Sequence, residues 1–215
     1  MKTSSSIRDR KTATTDHEIL DLFTRRWSPR AFSDRPVEPE KIRRMLEAAR
    51  WTMSSYNEQP WRYVVASRSE DEEAYDQLLT CLSDGNQEWA KTAPVLMMSF
   101  YRTTFSRNGR ENRCASHDLG AASAALTFQA TAMGLYVHQM AGIKKEAARA
   151  AYDVPQAYEP MAGLAVGYLG DPHMLSEKRR SSEVATRTRQ PMRQFVFGDS
   201  WDEPADLITD GGQSS

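Results

Sequence analysis

The chain is expected to fold as an α+β domain, with a mixed central sheet carrying helices on both faces. Three observations lead there. Strand-like runs alternate with helix-like runs, the strand count is near five, and the connections lack the strict rhythm of a βαβ protein. The 215 residues, 40% apolar and 27% charged, suit one globular domain that buries its core without disulfides or metals. Residues 1–14 are expected to form a flexible N-terminal tail, 15–201 the domain, and 202–215 a flexible acidic, Gly/Ser-containing tail. No internal repeat is visible.

Met1 to Thr14 is rich in Ser, Thr, Lys and Arg and has almost nothing to bury, so regular structure is expected to begin near Thr15. Thr15-x-x-Glu18 has the form of a capping box ahead of Ile19, Leu20, Leu22 and Phe23. That short helix delivers Arg25-Arg26-Trp27-Ser28-Pro29-Arg30, in which Pro29 breaks any helix and three arginines stand on an irregular segment. Charge alone fits an anion site or a solvated basic turn. Pro39-Glu40 opens a helix whose apolar residues Ile42, Met45, Leu46 and Ala49 fall on one face. It ends at Met53-Ser54-Ser55-Tyr56-Asn57-Glu58-Gln59-Pro60-Trp61. This loop, between a helix and a strand, presents short hydrogen-bonding groups of both kinds and suits reading the edge of a flat polar heterocycle, though its composition equally fits an ordinary turn.

Arg62 to Ala66 then reads as a buried strand. Ser69-x-x-Glu72 caps a helix bearing Leu78, Leu79 and Leu82 that Asp84-Gly85 is expected to stop, and Gln87 to Thr92 forms a short helical piece. Val95 to Tyr101 is a core strand, Arg102 to Arg113 a polar surface loop, and Ser116 to Met133 the longest helical run. Apolar or small nearly all round, that helix belongs in the domain centre or in a subunit interface, and Gly134 ends it. Leu135 to Met140 is extended, Lys144 to Tyr152 a short helix, Met161 to Gly170 a glycine-interrupted strand, Asp171 to Ala185 a polar linker, and Phe195-Val196-Phe197 a last short strand. The glycines around 163–170 are not followed by the strand-turn-helix that a dinucleotide fingerprint requires.

A formal net charge of −1 argues against a general nucleic-acid or membrane-surface role. Cys81 and Cys114 lie far apart with no ligand-spaced partner, which speaks against a metal site and for a reducing, cytoplasmic setting. The N-terminal stretch lacks an apolar h-region, so no signal peptide is expected, and no apolar run is long enough to span a membrane as a helix.

Arg26-x-Ser28-x-Arg30, Ser54-Ser55-x-Asn57-x-Gln59-Pro60-Trp61, Asp118-x-Gly120, the Gly142 turn, Ala165-Val166-Gly167-Tyr168 and Arg187-x-Arg189-x-Pro191, in this order and spacing, resemble the nitroreductase-like family of FMN-dependent oxidoreductases from about His17 to Trp201. The resemblance implies a mostly antiparallel sheet in an intertwined homodimer with FMN at the interface. It places Arg26 and Ser28 toward the flavin phosphate, Arg30 toward the pyrimidine end, and Arg187 and Arg189 at the phosphate, where guanidinium forks suit a dianion. Ser54, Ser55 and Asn57 would reach the ring and ribityl chain from the partner subunit, and the Gly142 N–H would face flavin N5. Met53 and Ile143 depart from the family's usual proline and aromatic, at positions close to where substrate would stack. His138, beside the N5 turn, is either a proton donor or a packed histidine. Trp51 and Trp61 read as core or interface packing.

The implied activity is electron transfer from NADH or NADPH to a nitro compound, quinone or similar electron-poor acceptor in a ping-pong cycle. Alternatives are a branch with a dedicated substrate such as an enone or halogenated aromatic, or a flavin-binding carrier or sensor without turnover.

Overall fold

The computed structural model describes residues 2–208, with side chains from Ile7 onward. The chain divides into Met1–Ala185 and Thr186–Ser215. In the first unit the sheet has four strands, β1 (Trp61–Ser67), β2 (Val95–Arg102), β3 (Tyr136–Met140) and β4 (Tyr158–Gly167), in the order β1-β2-β4-β3. Every pairing is antiparallel, so the expected mixed sheet of about five strands is corrected to four antiparallel strands among the described residues. The expected strand Phe195-Val196-Phe197, in the second unit, is reduced to a single bridge between Phe197 and Pro204 beside a turn at Met192–Gln194. Pro160 is accommodated within β4 because the register shifts there: Ser99 pairs with Ala162 and Phe100 with Pro160, leaving Met161 unpaired at a bulge.

The central strand β2 is buried from Val95 to Phe100, and its successive side chains feed two cores. Val95 and Met97 join Val137, Leu164 and Val166 against Met45 and Ala49 of α3 (Pro39–Arg50) and Leu119, Ala122 and Leu126 of α6 (Ala115–Ala132). Leu96, Met98 and Phe100 face Tyr75 and Leu78 of α4 (Glu72–Thr80) and Trp89 of α5 (Asp84–Ala90). The long helix α6 sits within a residue of its expected bounds. It buries one stripe, Ala115, Leu119, Ala122, Leu126 and Ala130, while Gly120, Ala121, Ala124, Ala125 and Phe128 on its other side stay partly or fully exposed in the single chain.

Several local signals are overruled. Residues expected to be a flexible tail form α1 (Lys2–Lys11), whose Ile7 and Lys11 are buried, so regular structure begins well before Thr15. Helix α2 (Asp21–Arg25) starts after Leu20 with no side-chain cap, and the Thr15 box does not open it. The cap of α4 is Asp71, which accepts from Ala74 N at 2.9 Å, rather than Ser69. Asp84-Gly85 opens α5 instead of ending α4, because Ser83 supplies the N-cap position. The expected linker 171–185 contains a turn at Pro172–Met174 and helix α8 (Glu177–Val184). Helix α7 (Lys145–Ala151) lies where expected. Of the expected C-terminal tail, 202–208 carry the Pro204 bridge and a turn at Asp206–Ile208, and 209–215 lie outside the described residues. Among the described residues no helix is long and apolar enough to cross a membrane.

Candidate functional site

Beyond α2 the chain runs extended alongside the end of β4. Phe32 bridges Leu169, Ser33 N donates to Tyr168 O at 2.9 Å, and Gly170 N donates to Ala31 O at 2.9 Å. Gly170 is required by this approach, because a Cβ there would fall 2.5 Å from the carbonyl carbon of Phe32. An extended backbone alternates its side chains: Trp27, Pro29 and Ala31 are buried, while Arg26, Ser28 and Arg30 emerge together on the other side, half-buried. The Arg-x-Ser-x-Arg spacing is therefore the two-residue period of a strand, and Arg26 Nη1 donates to Ser28 Oγ at 3.2 Å.

His138, on β3, lies beneath this segment. Its Nδ1 is 2.9 Å from the Pro29 carbonyl, which can only accept, so Nδ1 holds the hydrogen and Nε2 of the neutral ring is an acceptor. Burial pushes its pKa from 6.5 down to about 4; the charges of Arg30 and Arg26 act in the same direction, and the Pro29 and Ser28 carbonyls oppose. The ring rests on Trp89 at a centroid distance of 4.5 Å, and the Arg30 guanidinium stands 5.9 Å from the Trp89 ring.

Helix α5 carries the contact onward to Gly142. Trp89 Nε1 donates to Asn86 Oδ1 at 3.3 Å, and the Gly142 carbonyl accepts from Asn86 Nδ2 and from Ser83 N, each at 2.9 Å. A Cβ at Gly142 would meet Asn86 Nδ2 and Ser83 Oγ at 2.6 Å, so a larger residue in this turn would have to push the ends of those two side chains aside. Its own N–H bonds to no carbonyl or side chain among the described residues. Arg30 and His138 are thus linked to the Gly142 turn by a relay through Trp89 and Asn86 of α5, with Arg26 and Ser28 on the same segment as Arg30.

Arg30 also lines a concavity of about 400 Å³ with Glu88 and with Ser176, Lys178, Arg179 and Ser182 at α8. Arg179 Nη2 donates to Gly85 O at 3.0 Å and pairs with Glu88. Sequence reading passed over Lys178 and Arg179, because α8 has Val184 as its one apolar residue and no helical period to see. A Ser-Glu pair at 176–177 was the available start signal. Arg187 and Arg189 belong to the C-terminal unit, where Thr188, Arg189, Pro191 and Phe195 line a separate open concavity of about 720 Å³.

Ser54, Ser55 and Asn57 occupy the α3–β1 loop, and among the described residues no hydrogen bond or ring contact joins them to Arg26–Arg30 or Gly142. The loop is held elsewhere. Ser55 N donates to Asp118 Oδ2 at 3.0 Å at the start of α6, and Gln59 N donates to Ser54 Oγ at 3.0 Å. Tyr56, Asn57 and Gln59 all have left-handed backbones, with φ of 54°, 55° and 50°. Trp51, Met53 and Tyr56 are 75%, 79% and 74% exposed, which takes Trp51 out of the core of this chain, whereas Trp61 is buried.

Residues 23–168 match the nitroreductase family. The chain belongs to that family. Over 133 residues it is 33% identical to an uncharacterised 15.4 kDa protein of Mycolicibacterium smegmatis, a match covering 62% of this chain and 88% of that protein. A putative NADH dehydrogenase/NAD(P)H nitroreductase of Ralstonia nicotianae is 30% identical over 93 residues, which span 43% of this chain and 46% of that protein. Among solved structures, one described as an oxidoreductase containing FMN superposes with a TM-score of 0.83 at 34% identity, covering 89% of this chain and 96% of the other. A nitroreductase family protein of Clostridium difficile shares the fold at a TM-score of 0.67 and 23% identity, covering 86% and 100%. The nitroreductase-family match thus includes the Ser-Ser-Tyr-Asn loop, α6 and the Gly142 turn, and stops short of α8 and the C-terminal unit.

Proposed function

We propose that this chain is an FMN-dependent oxidoreductase that passes electrons from NADH or NADPH to a nitro compound, quinone or similar electron-poor acceptor, each occupying one site in turn. The observation that carries the reading is the joining of a cationic extended segment to the Gly142 turn through α5: the cations suit a phosphate, and the Gly142 N–H, in a closely packed turn, bonds to no group among the described residues. The likeness to a structure described as containing FMN supports the same cofactor.

The residues fit that group. Arg26, Ser28 and Arg30 would hold the phosphate and pyrimidine ends, with Lys178 and Arg179 adding charge from α8, and the Gly142 N–H would face the ring. Arg187 and Arg189 are proposed separately as phosphate cations on the strength of the family resemblance. When bound, FMN supplies the redox chemistry, accepting hydride at N5 and returning electrons to the acceptor. The chain's own part is placement and electrostatics. A neutral His138 tied to Pro29 supports the Arg26–Arg30 segment, and with its pKa near 4 it is a poor proton donor at neutral pH.

Ser54, Ser55 and Asn57 are proposed to serve the flavin of a second copy in a homodimer. Support comes from their exposed aromatic surroundings and from the small residues Gly120, Ala121, Ala124 and Ala125 of α6 that stay partly or fully exposed. The cytoplasmic setting expected from the cysteines belongs to the same reading. The test is anaerobic titration of purified yellow protein with NADH and with NADPH, followed at the flavin absorbance. Prompt bleaching and reoxidation by a quinone is the expected result, a protein that takes up no FMN overturns the cofactor, and bound FMN that neither nucleotide bleaches marks a carrier or sensor.

A further inference from the structure

Glu183 is 2% exposed, and its carboxylate points at the main chain of the cationic segment. Oε1 accepts from Arg30 N at 2.9 Å and from Ala31 N at 3.1 Å, and Oε2 accepts from Arg30 N at 3.1 Å. Residues 30 and 31 sit where the chain passes from the arginines to the Phe32–Leu169 bridge, and this carboxylate takes up their donors. A buried carboxylate is costly unless its oxygens are satisfied, and charge-assisted bonds to backbone N–H groups are among the stronger ones available.

The helix bearing it is fixed from two sides. Lys11 Nζ, itself buried, donates to Ala185 O at 2.5 Å and Ser182 O at 3.4 Å, taking up carbonyls at the end of α8. Arg179, near the other end, is bound to Gly85 O and Glu88 of α5, the helix whose Trp89 lies under Arg30. An anchor 153 residues away in sequence thus holds the backbone from which the Arg30 side chain departs, and the same helix supplies the cations that share Arg30's concavity.

We propose that Glu183 is a positioning residue for the cofactor site: by holding the N–H groups of Arg30 and Ala31 from behind it fixes where the Arg30 guanidinium departs, so that this cation and those of α8 converge on one anionic group. This rests on the FMN reading above, and two measurements separate the two.

The first needs no cofactor. Amide hydrogen exchange of the apo protein should quicken at Arg30 and Ala31 by roughly tenfold or more in Glu183→Gln, since one amide oxygen cannot replace both carboxylate oxygens. Exchange in α6 should stay as in the parent. The second is FMN affinity by fluorescence quenching in the parent, Glu183→Gln, Arg30→Ala and the double variant. Glu183→Gln should weaken binding roughly tenfold but change it less than threefold in the Arg30→Ala background, because its effect passes through Arg30. Unchanged exchange at residues 30 and 31 would overturn the proposal. So would equal losses in both backgrounds, the mark of general destabilisation. A parent that binds no FMN refutes the function instead, and the exchange data then still judge Glu183.

Discussion

Changing His138 to Gln and measuring stability across pH tests whether the ring under the arginines is a packed neutral group. The folded protein holds its pKa at about 4, against 6.5 for an unburied histidine, chiefly through burial and then through the charges of Arg30 and Arg26. Between those values the unfolded chain binds a proton that the folded chain refuses, so stability falls as pH drops through 6.5 and continues to fall down to about 4. Above pH 7 the penalty is absent. The full shift corresponds to roughly 3 kcal/mol at 1.36 kcal/mol per pH unit, and water at the partly exposed ring reduces this to about 1–3 kcal/mol. Glutamine can keep a donor for the Pro29 carbonyl but cannot titrate. In urea unfolding at pH 7.5, 6, 5 and 4.5, the parent's stability relative to the variant should be constant above pH 7 and decline by that amount toward pH 4. Carboxylates titrate in both proteins and cancel in the difference. A difference independent of pH would show that the ring is not desolvated, and a difference that instead rises as pH falls through 6.5 would show a ring protonated in the folded protein. Loss of flavin reduction in the variant, with its binding intact, would restore a proton-transfer role to His138.

Replacing Arg187 and Arg189 together with Ala should weaken FMN binding at least tenfold while circular dichroism of the apo protein is unchanged; unaltered affinity removes both from the site and leaves the phosphate to Arg26 and Ser28, with added charge from Lys178 and Arg179. Gly142→Ala keeps the N–H but drives a Cβ toward Asn86 and Ser83, at a cost of about 1–3 kcal/mol in stability, whereas Gly142→Pro also deletes the donor. Flavin reduction by nicotinamide should be roughly tenfold to a thousandfold slower in Pro than in Ala, and equal rates would exclude the donor. Light scattering should find a dimer whose interface exceeds roughly 2,000 Å², centred on the face of α6 that bears Ala121, Ala124 and Phe128, and a stable holo monomer would contradict the assignment of Ser54, Ser55 and Asn57 to a second subunit.

Elements that carry their own core were legible. The run from Val95 to Tyr101 needs burial on both faces, and Met45, Leu46 and Ala49 return at helical spacing, so β2 and α3 could be placed from sequence. Elements stabilised by distant contacts were not. Helix α1 has Ile7 alone as an inward apolar side chain, and Lys11, a residue that reads as surface, is buried against the end of α8. Helix α8 depends in turn on Lys11, on the Arg179–Glu88 pair and on Glu183, none of which leaves a periodic trace. The same division runs through the site. Arg26-x-Ser28-x-Arg30 was visible because its spacing is local, while Lys178 and Arg179 reach Arg30's concavity after a return of about 150 residues. Glycine had two meanings that sequence could not separate: Gly85 sits inside the first turn of α5, where no tight approach is required of it, and Gly142 packs closely against the ends of the Asn86 and Ser83 side chains.

The Ser54–Gln59 loop bears on function through its conformation. Three non-glycine residues there have positive φ, each costing of order 1–3 kcal/mol unless its surroundings impose it. Those surroundings are visible. Asp118 holds Ser55 N, Ser54 Oγ holds Gln59 N, and Gln59 Nε2 returns to Asn57 O at 3.1 Å. Across the β2–α6 connection, Ser106 N and Oγ donate to the Glu58 carboxylate at 2.6 and 3.1 Å, while Phe105 meets the Tyr56 ring edge-on and Arg107 lies 4.2 Å from it. Here two separate segments, the start of α6 and the 104–111 turn, hold the strained backbone while Tyr56 and Asn57 stay exposed. On the proposed function, this fixed backbone would present the exposed Tyr56 and Asn57 to the flavin of a second copy, so relaxing it with Gln59→Gly should weaken FMN binding in the dimer while leaving the fold of the chain intact.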